Sequence, residues 1–225
     1  MNDRPPALLV LEDGTALRGR SVGARGERAG ELVFNTAMTG YQEILTDPSY
    51  RGQMVVMTYP HIGNYGVNPE DVEAGKVWVE GFVVREVSPI ASNFRSRTTL
   101  PEYLEGEGIP AIEGIDTRAL TRRIRQGGAV RGIISTEDAD RESLLAKVRR
   151  APGTDGIDLV KEVTCAKPYT WTEGFVETGR PDLPPVHGPR YPIVAYDCGI
   201  KRNILRGLVE TGFDVTVVPA STPAK

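Results

Sequence analysis

This 225-residue chain has two cysteines and two histidines. Cys165 and Cys198 cannot build a disulfide framework and have no metal-ligand spacing. His61 and His187 each lack a cysteine nearby in sequence, so no nucleophile–base pair can be read from the residues. Charge of one sign is not in excess either. Twenty-seven Lys and Arg stand against 30 Asp and Glu, for a net charge of −3 and a pI near 5.6, which argues against nucleic acid as a bulk electrostatic partner. The polar start Met-Asn-Asp-Arg-Pro-Pro is followed only by the short apolar run Ala7–Leu11. That run is too short for a signal-peptide core or a membrane span, so the expectation is a soluble, cytoplasmic protein with no membrane partner. There is no Gly-x4-Gly-Lys-Ser/Thr motif, so nothing here binds ATP by motif.

Enough apolar residues are present (40%) for real cores. Residues 6 to about 96 alternate short apolar runs with Gly, Pro and Asn breaks, a β-rich pattern. Leu8–Glu12, Asp13-Gly14 and Ala16–Arg20 predict a hairpin with a type I′ turn. Val77–Val87 predicts another strand. From Leu100 the period becomes helical. Asp116 is a good N-cap for a helix over Thr117–Gln126 that Gly127 stops, with Ala119, Leu120 and Ile124 on one face and Arg118, Arg122 and Arg125 on the other. A second helix runs from about Asp140 to Arg150 on Leu144, Leu145 and Val148. Residues 1–151 thus form an α/β domain rich in strands.

Residues 152–190 carry prolines at 152, 168, 181, 184, 185 and 189 and scattered glycines, and read as a surface linker anchored by Trp171 and Phe175. Over 191–225 a buried strand (Ile193–Tyr196), a helix striped by Ile200, Ile204, Leu205, Leu208 and Val209, a Gly212 cap and a second strand (Asp214–Val218) make one βαβ unit of a parallel sheet. One such unit cannot cover both faces of a sheet, so the expectation is an incomplete domain and a truncated chain.

The densest run of mutually consistent signals is Thr39-Gly-Tyr-Gln-Glu-Ile-Leu-Thr-Asp-Pro-Ser-Tyr50, continuing through Gln53-Met-Val-Val-Met-Thr-Tyr-Pro-His-Ile-Gly-Asn64. Tyr41, Ile44 and Leu45 have helical spacing, and Met54–Tyr59 is an apolar strand ended by Pro60. Asp47-Pro48-Ser49-Tyr50 predicts a type I turn with the Ser49 hydroxyl outward. The glycines of His61-Ile-Gly-Asn-Tyr-Gly66 allow close backbone approach.

These residues resemble the amino-terminal domain of the small, glutamine-hydrolysing subunit of carbamoyl-phosphate synthetase. So do, in the same order, Ala7-Leu-Leu-Val-Leu-Glu-Asp-Gly14, Glu31-Leu-Val-Phe-Asn-Thr36, Ile90-Ala-Ser-Asn-Phe-Arg95, Gly114-Ile-Asp-Thr-Arg118 and Ala195-Tyr-Asp-Cys-Gly-Ile-Lys-Arg-Asn-Ile-Leu-Arg206. The resemblance implies that residues 191–225 begin a class I glutamine amidotransferase domain, doubly wound and flavodoxin-like. It implies a cysteine nucleophile and a histidine–glutamate pair beyond residue 225, so that no catalytic residue lies in this chain. It implies a large-subunit partner that uses ATP and Mg2+, with no cofactor in this subunit, and glutamine as substrate. It also implies that Ser49 contacts the bound glutamine, where the turn alone asks only for a serine that suits it.

Other residues are read more plainly. Cys198 follows the first strand of the last unit rather than an elbow, and is expected to be a small buried apolar residue; Cys165 is a lesser candidate still. His61 is expected to be structural and His187 solvated. The Arg118/Arg122/Arg125 face is either solvated charge or a docking face for the large subunit. Lys201 and Arg202 stand in a first helical turn, where the dipole disfavours cations and a carboxylate partner is expected. A non-catalytic docking module is the alternative function.

Overall fold

The computed structural model describes residues 4–175 and 188–224. Along the chain run β1 (Pro6–Leu11), β2 (Ala16–Ser21), β3 (Glu27–Asn35), α1 (Tyr41–Thr46), a 3-10 turn (Pro48–Tyr50), β4 (Gln53–Met57) and β5 (His61–Ile62). Next come β6 (Gly81–Val83), β7 (Glu86–Val87), α2 (Leu100–Gly106), β8 (Ala111–Glu113), α3 (Thr117–Gly127), β9 (Val130–Ser135) and α4 (Arg141–Arg150). The last part holds α5 (Val160–Val163), β10 (Tyr169–Trp171), β11 (Tyr191–Asp197), α6 (Arg202–Glu210) and β12 (Phe213–Pro219).

Seven strands close into a barrel in the order β1-β2-β8-β6-β4-β3-β9, with β1 pairing antiparallel to β9 from Leu8↔Ser135 to Leu11↔Gly132. The period-2 alternation of strands explains the layers. Leu9, Leu11, Leu32, Met54, Val56, Val83, Ile112 and Ile134 form one cluster, into which α3 inserts Leu120 and Ile124. The alternate residues Val55, Met57, Phe82 and Val84 pack with α1 and α2, while Leu8, Val10 and Ile133 pack with Leu144, Leu145 and Val148 of α4. Strands such as β4 are therefore covered on both faces, and read as continuous apolar runs for that reason.

Local expectations mostly hold. Asp116 caps α3 by accepting from the Ala119 N–H at 2.9 Å, and Asp140 caps α4 by accepting from the Glu142 N–H at 2.9 Å. Others change. The β1–β2 hairpin does not use a type I′ turn, which needs positive φ at two successive residues; only Gly14 (φ 89°) is left-handed, and the Gly14 N–H bonds to the Leu11 carbonyl. Val77–Val87 is not one strand: its pairing partners hold only Gly81–Val83, beside β4 and β8, and Glu86–Val87, beside β5. The stretch expected as linker contributes β10, which pairs antiparallel with β12 from Tyr169↔Val217 to Trp171↔Val215.

β11 and β12 pair in parallel, Tyr191↔Phe213 through Asp197↔Pro219, with α6 between them in sequence. Leu205, Val215 and Val217 are the buried centre of this unit, joined by Trp171, Ile193 and Ala195. β11 is not buried as expected. It is an outer strand of the order β10-β12-β11 and is covered on one face only, leaving Val194 and Tyr196 exposed on the other.

Candidate functional site

The Asp47–Tyr50 segment is the meeting point of the barrel body and the loop leading into α6. Its type I hydrogen bond forms, Tyr50 N–H to the Asp47 carbonyl at 3.1 Å, and a second bond from the Arg51 N–H to the Pro48 carbonyl extends it into a 3-10 turn. Pro48 suits the first position because its φ is preset. The buried Asp47 acts twice. Its Oδ1 accepts from the Ser49 N–H at 2.9 Å, and its Oδ2 lies 3.4 Å from the Lys201 Nζ. Tyr50 anchors the far side by accepting at its hydroxyl from Asn35 Nδ2 at 2.9 Å. Between these ties the Ser49 side chain stands exposed, as the turn predicts. A hydroxyl presented on a turn held this way can donate to or accept from a ligand polar group.

The facing loop is equally constrained. Asp197, at the end of β11, accepts at Oδ1 from the N–H groups of Gly199 and Ile200 (both 2.9 Å) and at Oδ2 from the Cys165 N–H (2.8 Å). Gly199 sits at φ +94°, and an added Cβ would come within 3.1 Å of both Pro48 and Val163. Only glycine lets this loop close on the turn.

The buried Glu73 completes the joint. Its N–H donates to the Thr46 hydroxyl (2.9 Å), its carbonyl accepts from the Arg202 N–H (2.9 Å), and its carboxylate accepts from the N–H of Asn203 (3.0 Å) and from Asn203 Nδ2 (2.7 Å). Lys201 makes no side-chain cap on α6, so Glu73 supplies the anionic cap from another part of the chain. Arg206 adds a bond from Nη1 to the Glu70 carbonyl at 3.2 Å.

Lys201 thus has its expected carboxylate, Asp47, and Arg202 is held through its backbone. Glu73 and Gly199 were not read from the sequence. The available signal was a helix start whose first residues include no capping side chain, which asks for a carboxylate from elsewhere.

Cys198 is exposed, against the expectation of a buried apolar residue, because it follows a strand that is open on one face. Burial and then the Asp197 carboxylate push the Cys165 thiol up, disfavouring thiolate. His61 lies in β5 opposite Glu86. His187 lies outside the described residues. No helix among the described residues is long and apolar enough to cross a membrane. Arg118, Arg122 and Arg125 are all exposed on α3.

The architecture defines a mixed α/β protein built on a large closed sheet. The family model "Carbamoyl-phosphate synthase small chain, CPSase domain" matches residues 9–134. A carbamoyl phosphate synthase small chain from Syntrophotalea carbinolica is 60% identical over 219 residues, covering 97% of this chain and 58% of that protein. The proteins of the same name from Thioalkalivibrio sulfidiphilus (55% over 219 residues) and Escherichia coli O6:H1 (53% over 222 residues) are covered to the same extents, 97% and 58%. This chain belongs to the carbamoyl-phosphate synthase small chain family, and it spans about 58% of the length of these relatives.

Proposed function

We propose that residues 1–225 are the amino-terminal part of the small subunit of a glutamine-hydrolysing carbamoyl-phosphate synthase. The observation that carries this is 60% identity across 97% of the chain to a protein of that name. It favours a synthase subunit over a free-standing docking module. In this reading residues 1–151 are the amino-terminal domain, residues from 191 open a class I glutamine amidotransferase domain, and the free edge of β11 receives that domain's remaining strands. The catalytic cysteine, histidine and glutamate then lie beyond residue 225. The thiolate attacks the glutamine side-chain amide, the C–N bond breaks, and ammonia leaves with a proton from histidine; water hydrolyses the glutamyl thioester to glutamate. Ammonia passes to a larger chain, which makes carbamoyl phosphate from bicarbonate with ATP and Mg2+ in the cytoplasm, for arginine and pyrimidine synthesis.

Ser49 is the residue of this chain assigned to the substrate, supported by its exposed hydroxyl on a turn held by Asp47, Pro48 and Tyr50. In the full-length protein, Ser49→Ala is expected to raise the KM for glutamine about fivefold, the worth of one hydrogen bond of about 1 kcal/mol, with kcat little changed. An unchanged KM returns Ser49 to an ordinary turn residue. Cys198→Ser should leave thioester formation intact.

A further inference from the structure

The exposed face of α3 carries Arg118, Arg122 and Arg125 at i, i+4 and i+7, and Arg85 from the segment joining β6 to β7 meets them around a cavity of about 690 Å³. None of these four guanidiniums has a hydrogen-bond or ion-pair partner among the described residues. Several other arginines are matched: Arg123, on the same helix, binds Asp13, Arg51 binds Glu80 and Glu162, and Arg95 binds Asp71. The one carboxylate lining the cavity, Asp116, already gives Oδ1 to the cap of α3. The hydroxyl of Thr121, also in the wall, is buried without a partner. In a chain of net charge −3, positive charge has been gathered here and left unmatched.

Exposed guanidiniums bind a small anion weakly, because both partners stay hydrated and salt screens them. A protein surface that covers them removes that water and strengthens each contact. Tyr59, exposed beside the lining residue Pro60, adds the residue type that joins arginine at interface centres. We infer that this cavity is the docking surface for a carboxylate-bearing stretch of the larger chain that the name "small chain" implies, a partner taken from the reading above.

The test uses the full-length small chain and the larger chain from the same source. Arg118→Glu/Arg122→Glu/Arg125→Glu is expected to slow association about tenfold at low salt, with the gap to wild type narrowing as salt rises. Glutamine hydrolysis by the small chain alone, in both forms, shows that the variant is folded. Should the triple variant not fold, Arg122→Gln is expected to slow association about threefold. Association equal to wild type at every salt concentration overturns the inference. So does saturable binding of pyrophosphate that the variant loses while its association is unchanged, which would make the cavity a small-anion site. A wild-type small chain that associates but hydrolyses no glutamine would sink the proposed function alone and leave the docking result standing.

Discussion

Single side chains do their work here by serving two elements at once. Lys147 on α4 reaches Glu27 of β3 (2.8 Å) and Asp138 (2.8 Å), and Asp138 also accepts from the Ser143 hydroxyl (2.6 Å) and the Asp140 N–H (2.9 Å). The bond from Lys147, then those from Ser143 and Asp140, hold the Asp138 carboxyl down from 3.8 to about 2. A depressed carboxyl contributes stability that is present above its ordinary pKa and lost as pH falls through the folded value. Asp138→Asn is therefore expected to lower the Tm at neutral pH, with the difference from wild type shrinking between pH 3.8 and about 2. Thermal melts at stepped pH would show it; a constant difference down to the lowest pH would mean that the charge on Asp138 is not what stabilises. Asp138 sits three residues before α4 begins, a spacing typical of any polar loop, and the bridge through Lys147 to Glu27 of β3 was not legible because Lys147 and Glu27 are 120 residues apart.

At the scale of elements, Glu73 replaces the cap that α6 does not carry for itself. Glu73→Ala leaves the Asn203 N–H uncapped and removes the acceptor of Asn203 Nδ2, and is expected to cost about 1–3 kcal/mol in urea unfolding. Glu73→Gln, which keeps a carbonyl acceptor but not the charge, should fall between; a silent Glu73→Ala would show that water caps the helix equally well. The elements read well from the sequence share one property, that their signals are local. α3 and α4 start at Asp116 and Asp140, and α1 shows its periodicity in six residues. The ones read poorly depend on pairing. Nothing inside Val77–Val87 says that only Gly81–Val83 finds β4 and β8 at its sides, and nothing in a proline-bearing stretch says that Tyr169–Trp171 is claimed by β12. The Ser49 turn was legible because Asp, Pro and Ser each have a positional reason to be there; its clamp was not, because Lys201 and Gly199 reach it from a residue separation of about 150.

Across the molecule, burial is uneven. Barrel strands such as β4 are covered inside and out, whereas Tyr191, Val194 and Tyr196 of β11 and Ile204 of α6 remain exposed at 61, 59, 43 and 49%. Exposed apolar faces of this kind bind hydrophobic dyes. Residues 1–225 expressed alone are expected to enhance 8-anilinonaphthalene-1-sulfonate fluorescence more than the full-length protein does on a molar basis, and Val194→Ser/Ile204→Ser should reduce the excess. Equal fluorescence from both would show that the β11 face stays open in the longer protein as well.

The closure of the barrel also bears on how the protein is made. β1 needs β9 as its neighbour, so Leu8 must wait for Ser135 to leave the ribosome before the ring can be sealed. The hairpin of β1 and β2 is available early, but its outer edge stays unsatisfied throughout the synthesis of more than a hundred residues. Once β9 and then α4 emerge, the ring can close while β11 is still to be translated. Asp47 and Glu73 are by then presented on a finished surface, and the nascent helix of Arg202–Glu210 meets its anionic cap as soon as it forms.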